Sequence, residues 1–387
     1  MNRKAGAAIL VAAGVFAACR DATIPETQTS PATARVVPGQ YIVVFRDNVS
    51  DPRGVANQLV RAKAGTLRFV YTRALRGFAA SLTDAAAEEL ARDPRVAYVE
   101  RDQEFRVDGT QTMDANGDPW GLDRVDQQAL PLSRTYTYTA TGAGVHAYII
   151  DTGIWTMHAD FGGRANNVYD ALGATGEDCH GHGTHVAGTV GGATYGLAKG
   201  ASLHGVRVLS CAGLGLTSQI IAGIDWVRQN AVKPAVANMS LGGGLSPALN
   251  AATTNLWNSG VFVAVAAGND NVDACTASPA SAAGAFTTAA STKADAKSSF
   301  SNWGTCVEGY APGSAIVSDF LAGTTTSLSG TSMASPHVAG VAVLYKAAFG
   351  DQPSATVSNW IISNSTSGAI SGNPAGTPNR LLYKAGL

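Results

Sequence analysis

The chain has 387 residues, with 27 Lys and Arg against 28 Asp and Glu, and a net charge of −1 gives no electrostatic reason to expect nucleic acid as a partner. Charged residues are 14% of the chain, well below the roughly 25% of a typical soluble domain. With 44 Gly this excludes a coiled coil or a charge-rich disordered chain, and the length suits one large, loop-rich domain plus a small one.

Met1-Asn2-Arg3-Lys4 followed by the uncharged run Ala5–Ala18 reads as a secretory signal over residues 1–19, too short to span a bilayer. Nothing after it is long and apolar enough to do so. Phe16-Ala17-Ala18 before Cys19 looks like a bacterial lipoprotein cleavage box with Phe at its first position, so a lipid anchor at Cys19 is the alternative to full release. Residues 20–37, rich in Thr, Ala and Pro, read as a linker.

Residues 38–106 carry their own pattern. Strands are expected at Gln40–Phe45, Thr66–Tyr71, Gly77–Leu82 and Val96–Glu100, with helices at Val55–Ala64 and Ala85–Arg92. That order, βαββαβ, is the ferredoxin-like arrangement. The unit has no Cys and no catalytic cluster, and its place between a signal and a much larger domain marks it as a removable pro-domain. Residues 107–119 are polar and turn-rich, the kind of segment where proteolysis concentrates, and read as a processing linker.

From Trp120 to Leu387 strands and helices alternate. Expected strands are Gly144–Ile150, Ser202–Leu209, Val236–Ser240, Val261–Ala266 and Phe286–Ala290; expected helices are His182–Val190, Ile220–Asn230, Pro247–Trp257, Ser332–Phe349 and Ala355–Ser363. The fold class is therefore α/β, a doubly wound, mostly parallel sheet, preceded by a small α+β pro-domain. Sites in such sheets lie beyond the carboxyl ends of the strands. Asp151, Ser240 and Asn269 all follow strand ends.

Ser332 lies between a Gly-Thr turn and an Ala-rich apolar run, which places its hydroxyl at a helix N-terminus where free N–H groups stabilise a negative oxygen. His182, in His180-Gly181-His182-Gly183-Thr184-His185, can take and return a proton near neutral pH. Asp151 ends an apolar strand and suits the carboxylate that orients such an imidazole. Asn269, after Ala266-Ala267-Gly268, can donate its amide to an oxyanion beside the Ser332 N–H. The competing reading of the three His is a metal cluster, but Thr184 stands where a metallo-hydrolase places Asp and no second His group follows. His185 reads as structural.

Asp151, His182 and Ser332 occur in the chain order described for subtilisin. Asp151-Thr152-Gly153, His182-Gly183-Thr184-His185-Val186-Ala187-Gly188 and Gly330-Thr331-Ser332-Met333-Ala334 match three separate subtilase motifs. The chain thus resembles the subtilisin-like serine proteases over residues 38–387. Trp120-Gly121-Leu122-Asp123-Arg124 and Asn238-Met239-Ser240-Leu241-Gly242 are similar to the proteinase K branch and its aqualysin-type members, and the pro-unit is similar to the inhibitor-type propeptide.

The resemblance implies a secreted serine endopeptidase of broad specificity, made as a self-processing zymogen whose pro-unit is an intramolecular inhibitor and chaperone. It implies a monomer acting on polypeptides, with activity falling as His182 gains a proton. Substrate is expected to add as a strand between Gly213-Leu214-Gly215 and Ser240-Leu241-Gly242. The wall formed by Ser240–Gly243, Ala267 and Gly268 is small and uncharged, which favours an apolar or aromatic residue before the cleaved bond. Cys179, Cys211, Cys275 and Cys306 allow three pairings, and the family pattern implies Cys179–Cys211 and Cys275–Cys306. Loops of about thirty residues are each worth roughly 3–4 kcal/mol in the chain-entropy model. The family also implies structural Ca²⁺ at two places: one with the carbonyls of Pro279 and Ser281 and the carboxylate of Asp295, the other with Asp123, Asp126, Gln127, Ser133 and Thr135. Two other readings are a catalytically silent scaffold, which the complete Asp, His, Asn and Ser set opposes, and a free-standing inhibitor, which the long downstream domain opposes.

Overall fold

The computed structural model describes residues 35–106, 110–112 and 119–387. The signal at 1–19 with Cys19, nearly all of the linker 20–37 and most of the processing linker 107–119 lie outside the described residues.

The pro-unit runs β1 (Arg35–Phe45), α1 (Pro52–Ala62), β2 (Thr66–Tyr71), β3 (Gly77–Ser81), α2 (Asp84–Leu90) and β4 (Val96–Arg106), the expected βαββαβ order. Pro52 opens α1 and the Asp51 carboxylate accepts Gly54 N–H at 2.9 Å, while Thr83 Oγ1 caps α2 on Ala86 N–H at 3.2 Å. Strand β1 shows the period of two clearly. Tyr41, Val43 and Phe45 pack under α1 and α2 with Leu59, Val60, Phe78 and Leu90. Ile42 and Val44 face the other way, onto Ile220, Ile221 and Leu249 of the following domain. Because both faces are covered, the strand reads as an unbroken apolar run. β1 starts three residues before the expected boundary at 38, and β4 runs six residues past its expected end at Glu100. The added residues carry no apolar alternation; Arg35 and Val36 pair with Glu104 and Gln103, so partner strands set these ends.

The second domain follows as β5 (Thr110–Thr112), α3 (Trp120–Asp126), β6 (His146–Asp151), β7 (Ala165–Asp170), α4 (His182–Gly191), β8 (Ser202–Arg207), β9 (Leu214–Leu216) and α5 (Thr217–Asn230). Next come β10 (Ala235–Met239), β11 (Gly243–Gly244), α6 (Pro247–Asn258), β12 (Phe262–Ala266), β13 (Ala277–Ser278), β14 (Phe286–Ser291) and β15 (Gly309–Pro312). The chain ends with β16 (Ile316–Asp319), β17 (Thr325–Ser329), α7 (Thr331–Phe349), α8 (Ser354–Asn364), β18 (Thr366–Ser367) and β19 (Arg380–Leu381).

Nine strands form one sheet in the order β18-β19-β15-β14-β12-β10-β6-β8-β7, parallel except for β18 against β19. Successive residues of β6 again divide the layers: Ala147 and Ile149 pack with Val186 of α4 and Val338 of α7, whereas Tyr148 and Ile150 pack with Ile220 and Ile224 of α5. β6 pairs with β8 on one side and β10 on the other, so the strand order reverses beside it. The carboxyl ends of β6, β10 and β12 open at that reversal, where α/β sheets place their sites.

Candidate active site

Asp151 is the last residue of β6 and fully buried. Its Oδ1 accepts the Thr152 N–H at 2.7 Å and the His182 Nδ1–H at 2.8 Å. A carboxylate held this way fixes the imidazole tautomer and leaves Nε2 as the basic nitrogen. His182 is the first residue of α4, and its position depends on Asp178, a residue that motif reading passed over. Asp178 Oδ1 accepts Thr152 Oγ1–H at 2.9 Å and the N–H groups of His180 and Gly181, and Oδ2 accepts Thr184 N–H and Oγ1–H at 3.0 and 2.6 Å. One carboxylate therefore caps α4 and ties it to the turn after Asp151. Gly183 permits the approach, since a Cβ there would lie 2.1 Å from Gly153 O. The signal in the sequence was an acid just ahead of the helix, as caps are.

Ser332 is the second residue of α7. Its hydroxyl donates to Ser240 O at 3.2 Å, and Ser240 Oγ donates back to Ser332 O at 2.7 Å. That carbonyl is available because Pro336, four residues on, has no N–H to donate to it. Asn238 Nδ2 donates to Ser240 Oγ at 2.8 Å and its Oδ1 accepts Ser335 Oγ–H at 2.7 Å, so the first turn of α7 is bolted to the end of β10. Asn238 and Ser335 were also missed, because neither is informative without its partner across the fold.

Asn269 follows β12. Its Oδ1 accepts Thr331 N–H at 2.8 Å and Oγ1–H at 3.0 Å, while its Nδ2 is buried without a partner among the described residues. A buried amide donor without an acceptor carries a desolvation cost, and this one sits against the residue preceding Ser332. Gly268 makes the turn at φ +101, where a Cβ would meet Asn302 Nδ2 at 2.3 Å.

The structure thus joins Asp151 to His182, and Asn269 to the start of the Ser332 helix. The other His residues have separate duties. His185 is fully buried with Nε2 on Ile316 O at 3.0 Å, and burial lowers its pKa to about 3. His337, buried with Nδ1 on Met333 O at 2.8 Å, is lowered to about 4 by burial. Burial also holds the half-buried His180 below the ordinary range.

Of the two expected substrate edges, the one at Gly213–Gly215 is occupied by the chain itself. Glu104, Phe105 and Arg106 pair antiparallel with Leu216, Gly215 and Leu214, so β9 adds a fifth strand to the pro-unit sheet, β2-β3-β1-β4-β9. Gly213 lies just before β9. Thr110–Thr112 pair antiparallel with Ser327–Ser329, the strand just ahead of α7. Ser240 and Leu241 are buried, and Gly242 leads into β11. Ala267 is buried and Gly268 N–H donates to Thr331 Oγ1 at 3.0 Å.

The pro-unit is also anchored through carboxylates that motif reading did not single out. Asp102 Oδ1 accepts Ser218 N–H at 2.8 Å at the start of α5, and Glu100 accepts Ala248 N–H at 3.0 Å and the Ser246 hydroxyl at the start of α6. In return Asp225 of α5 accepts the N–H groups of Arg73 and Ala74 at 2.8 and 2.6 Å.

Cys179 is bonded to Cys211, and Cys275 to Cys306, as the family pattern implied. At the first expected calcium place, Asp295 makes a two-point ion pair with the fully buried Arg124 guanidinium at 2.7 and 3.0 Å, so its carboxylate is engaged by that cation. At the second place Asp123 Oδ1 and Gln127 Oε1 both accept Ser133 N–H, at 3.1 and 2.9 Å, and Ser133 Oγ lies 2.7 Å from Thr135 Oγ1. These four residues bring oxygens together. Asp126 does not join them: it pairs with Lys384 at 2.9 Å and accepts Thr137 N–H at 2.7 Å.

Residues 142–382 match the subtilase family and residues 40–108 match peptidase inhibitor I9. The chain is 45% identical to an extracellular serine proteinase of Thermus sp. (strain Rt41A), covering 98% of this chain and 99% of that one. It is also 45% identical to alkaline serine exoprotease A of Vibrio alginolyticus, over 92% of this chain and 70% of the relative. The crystal structure of a cold adapted subtilisin-like serine proteinase superposes with a TM-score of 0.68 at 49% identity, covering 70% of this chain and 99% of that chain. The chain is a serine protease of the subtilase family, with an I9-type inhibitor unit ahead of its peptidase domain.

Proposed function

We propose that the protein is an exported, self-processing endopeptidase in which Ser332, His182, Asp151 and Asn269 carry the reaction. Ser332 Oγ attacks the peptide carbonyl as His182 Nε2 takes its proton, and Asp151 holds the resulting imidazolium. The tetrahedral oxyanion is stabilised by the Ser332 N–H and the Asn269 amide, which has no partner among the described residues. His182 then gives its proton to the leaving amine, and water, activated the same way, releases the acyl group. The small, uncharged wall of Ser240–Gly243, Ala267 and Gly268 fits an apolar or aromatic side chain before the cleaved bond.

One observation carries the zymogen reading: the chain lies along Leu214–Leu216 upstream and along Ser327–Ser329 downstream of Ser332. The bond cut is one of those between Arg106 and Thr110, the interval that joins the two paired segments. After cleavage the upstream strand stays paired with β9 and blocks the cleft. The mature N-terminus, read by sequencing, is expected within residues 107–110. Ser332→Ala is expected to remain a single uncut chain without turnover, and normal processing of that variant would end the assignment. A fluorophosphonate probe that labels the wild-type chain at Ser332 excludes the silent-scaffold reading.

Export rests on residues 1–19 and on relatives described as extracellular; intact-mass analysis separates free release from a lipid on Cys19. Structural Ca²⁺, if held, belongs to the oxygens of Asp123, Gln127, Ser133 and Thr135. The expected result is a fall in melting temperature with chelator, and an unchanged value removes calcium from the account.

A further inference from the structure

Between the pro-unit and the peptidase domain lies a cavity of about 400 Å³ whose lining includes Asp47, Thr72, Arg73 and Arg76 of the pro-unit and Arg228 and Asn255 of the peptidase domain. A second, of about 380 Å³, shares Arg73 and Arg228 and continues to Gln229 and Ser259. Two of the three guanidinium groups are held in place by carbonyls. Arg228 Nε donates to Asn255 O at 3.2 Å, and Arg76 donates to the carbonyls of Asp47 and Val49. Among the described residues their remaining N–H groups take no further acceptor, and the exposed Arg73 side chain makes no hydrogen bond. Among the described residues none of the three forms an ion pair with a carboxylate.

The acids nearby do not neutralise the cluster. Asp225 is buried and its oxygens are filled by the N–H groups of Thr72, Arg73 and Ala74 and by Gln229 Nε2 at 2.6 Å. Asp47 lines the cavity as the single remaining negative charge against three positive ones. Burial and the neighbouring Arg73 both lower the Arg228 pKa, against the pull of Asp225. Like charges facing each other across a domain boundary oppose its closure, and forked N–H donors suit a tetrahedral oxyanion.

We propose that this cavity binds a small oxyanion of the sulfate or phosphate class, held jointly by Arg73 and Arg228, and that the bound anion clamps the pro-unit to the peptidase domain. The two arginines come from opposite sides, so the site exists only while the units are together. By linkage, anion at roughly ten times its Kd lowers the dissociation constant of the cleaved pro-unit about tenfold. The effect on maturation rests on the zymogen reading above; the binding site does not.

Binding is tested on the full chain carrying Ser332→Ala, which keeps both units joined without needing protease activity. Titration calorimetry with sodium sulfate, against sodium chloride of equal ionic strength, should show saturable binding at one site. Adding Arg73→Gln or Arg228→Gln should abolish it; Arg73 is exposed and unbonded, so that variant keeps the fold, which circular dichroism checks. Sulfate heats no different from chloride, or binding unchanged in Arg73→Gln, would overturn the proposal. In the wild-type chain, active enzyme should appear several-fold more slowly in sulfate than in chloride, and Arg73→Gln should remove that difference. A normal titration with no effect on activation would count against the clamp while leaving the binding site in place.

Discussion

Asn269 shows how one side chain is divided between structure and chemistry. Its carbonyl is spent on Thr331, which sets the amide's orientation, and its buried Nδ2 has no partner among the described residues. Asn269→Ala is expected to lower kcat by roughly 10²–10³-fold with little change in KM, the cost recorded for the oxyanion Asn of a subtilisin. An unchanged kcat would remove Asn269 from the site. Asp178 acts differently, through hydrogen bonds that hold the first turn of α4, so Asp178→Ala should lower both activity and melting temperature. Asp151, His182, Asn269 and Ser332 were legible because each sits in a short local motif. Asp178, Asn238 and Ser335 were not, since their meaning lies in bonds to residues brought near only by folding.

Helices α5 and α6 of the peptidase domain begin at sites completed by the pro-unit, through Asp102 and Glu100. Burial is the larger influence on both carboxyls and raises their pKa, against the lowering effect of the bonds from Ser218 and Ser246. The complex therefore holds protons that the separated pro-unit releases. Its affinity is greatest below the ordinary carboxylate range, roughly pH 4, and weakens as pH rises through the raised values. After self-cleavage, active enzyme should appear faster at alkaline than at mildly acidic pH, and Glu100→Gln with Asp102→Asn should flatten that dependence. A rate independent of pH would contradict it. β4 teaches the same lesson in sequence terms: its last six residues form a strand because β1 and β9 offer free edges.

At the scale of the whole molecule, two carboxyls, one buried and one partly buried, tie stability to pH. Asp319 ends β16 fully buried, with His158 Nδ1 3.5 Å from its Oδ1 and Asp160 beside it. Burial first, then the neighbouring Asp160, raises its pKa to about 8, against the opposing charge of Arg164. Burial likewise raises Glu308 to about 7, against its bond from Thr287 N–H. At neutral pH Asp319 keeps its proton in the fold and Glu308 is partly protonated, whereas both are ionised in the unfolded chain. The stability they contribute is complete below about pH 4 and lost as pH rises through about 7 to 8. In the Ser332→Ala background, which prevents autolysis, the melting temperature should fall between neutral and alkaline pH. Asp319→Asn should remove part of that slope, and an identical slope in the variant would argue against this account.

The sequence by itself determined the two-domain order, the α/β class and the four side chains proposed to react, because period-two and helical apolar patterns and short motifs are local properties. It also carried the oxygen-rich set at Asp123, although not which members meet. Tertiary structure alone decided that Asp295 serves Arg124, that Asp126 serves Lys384, and that the tail of the pro-unit becomes the fifth strand of a sheet completed by the peptidase domain. Those outcomes depend on competition among charges and open strand edges far apart in the chain, and that competition has no local signature.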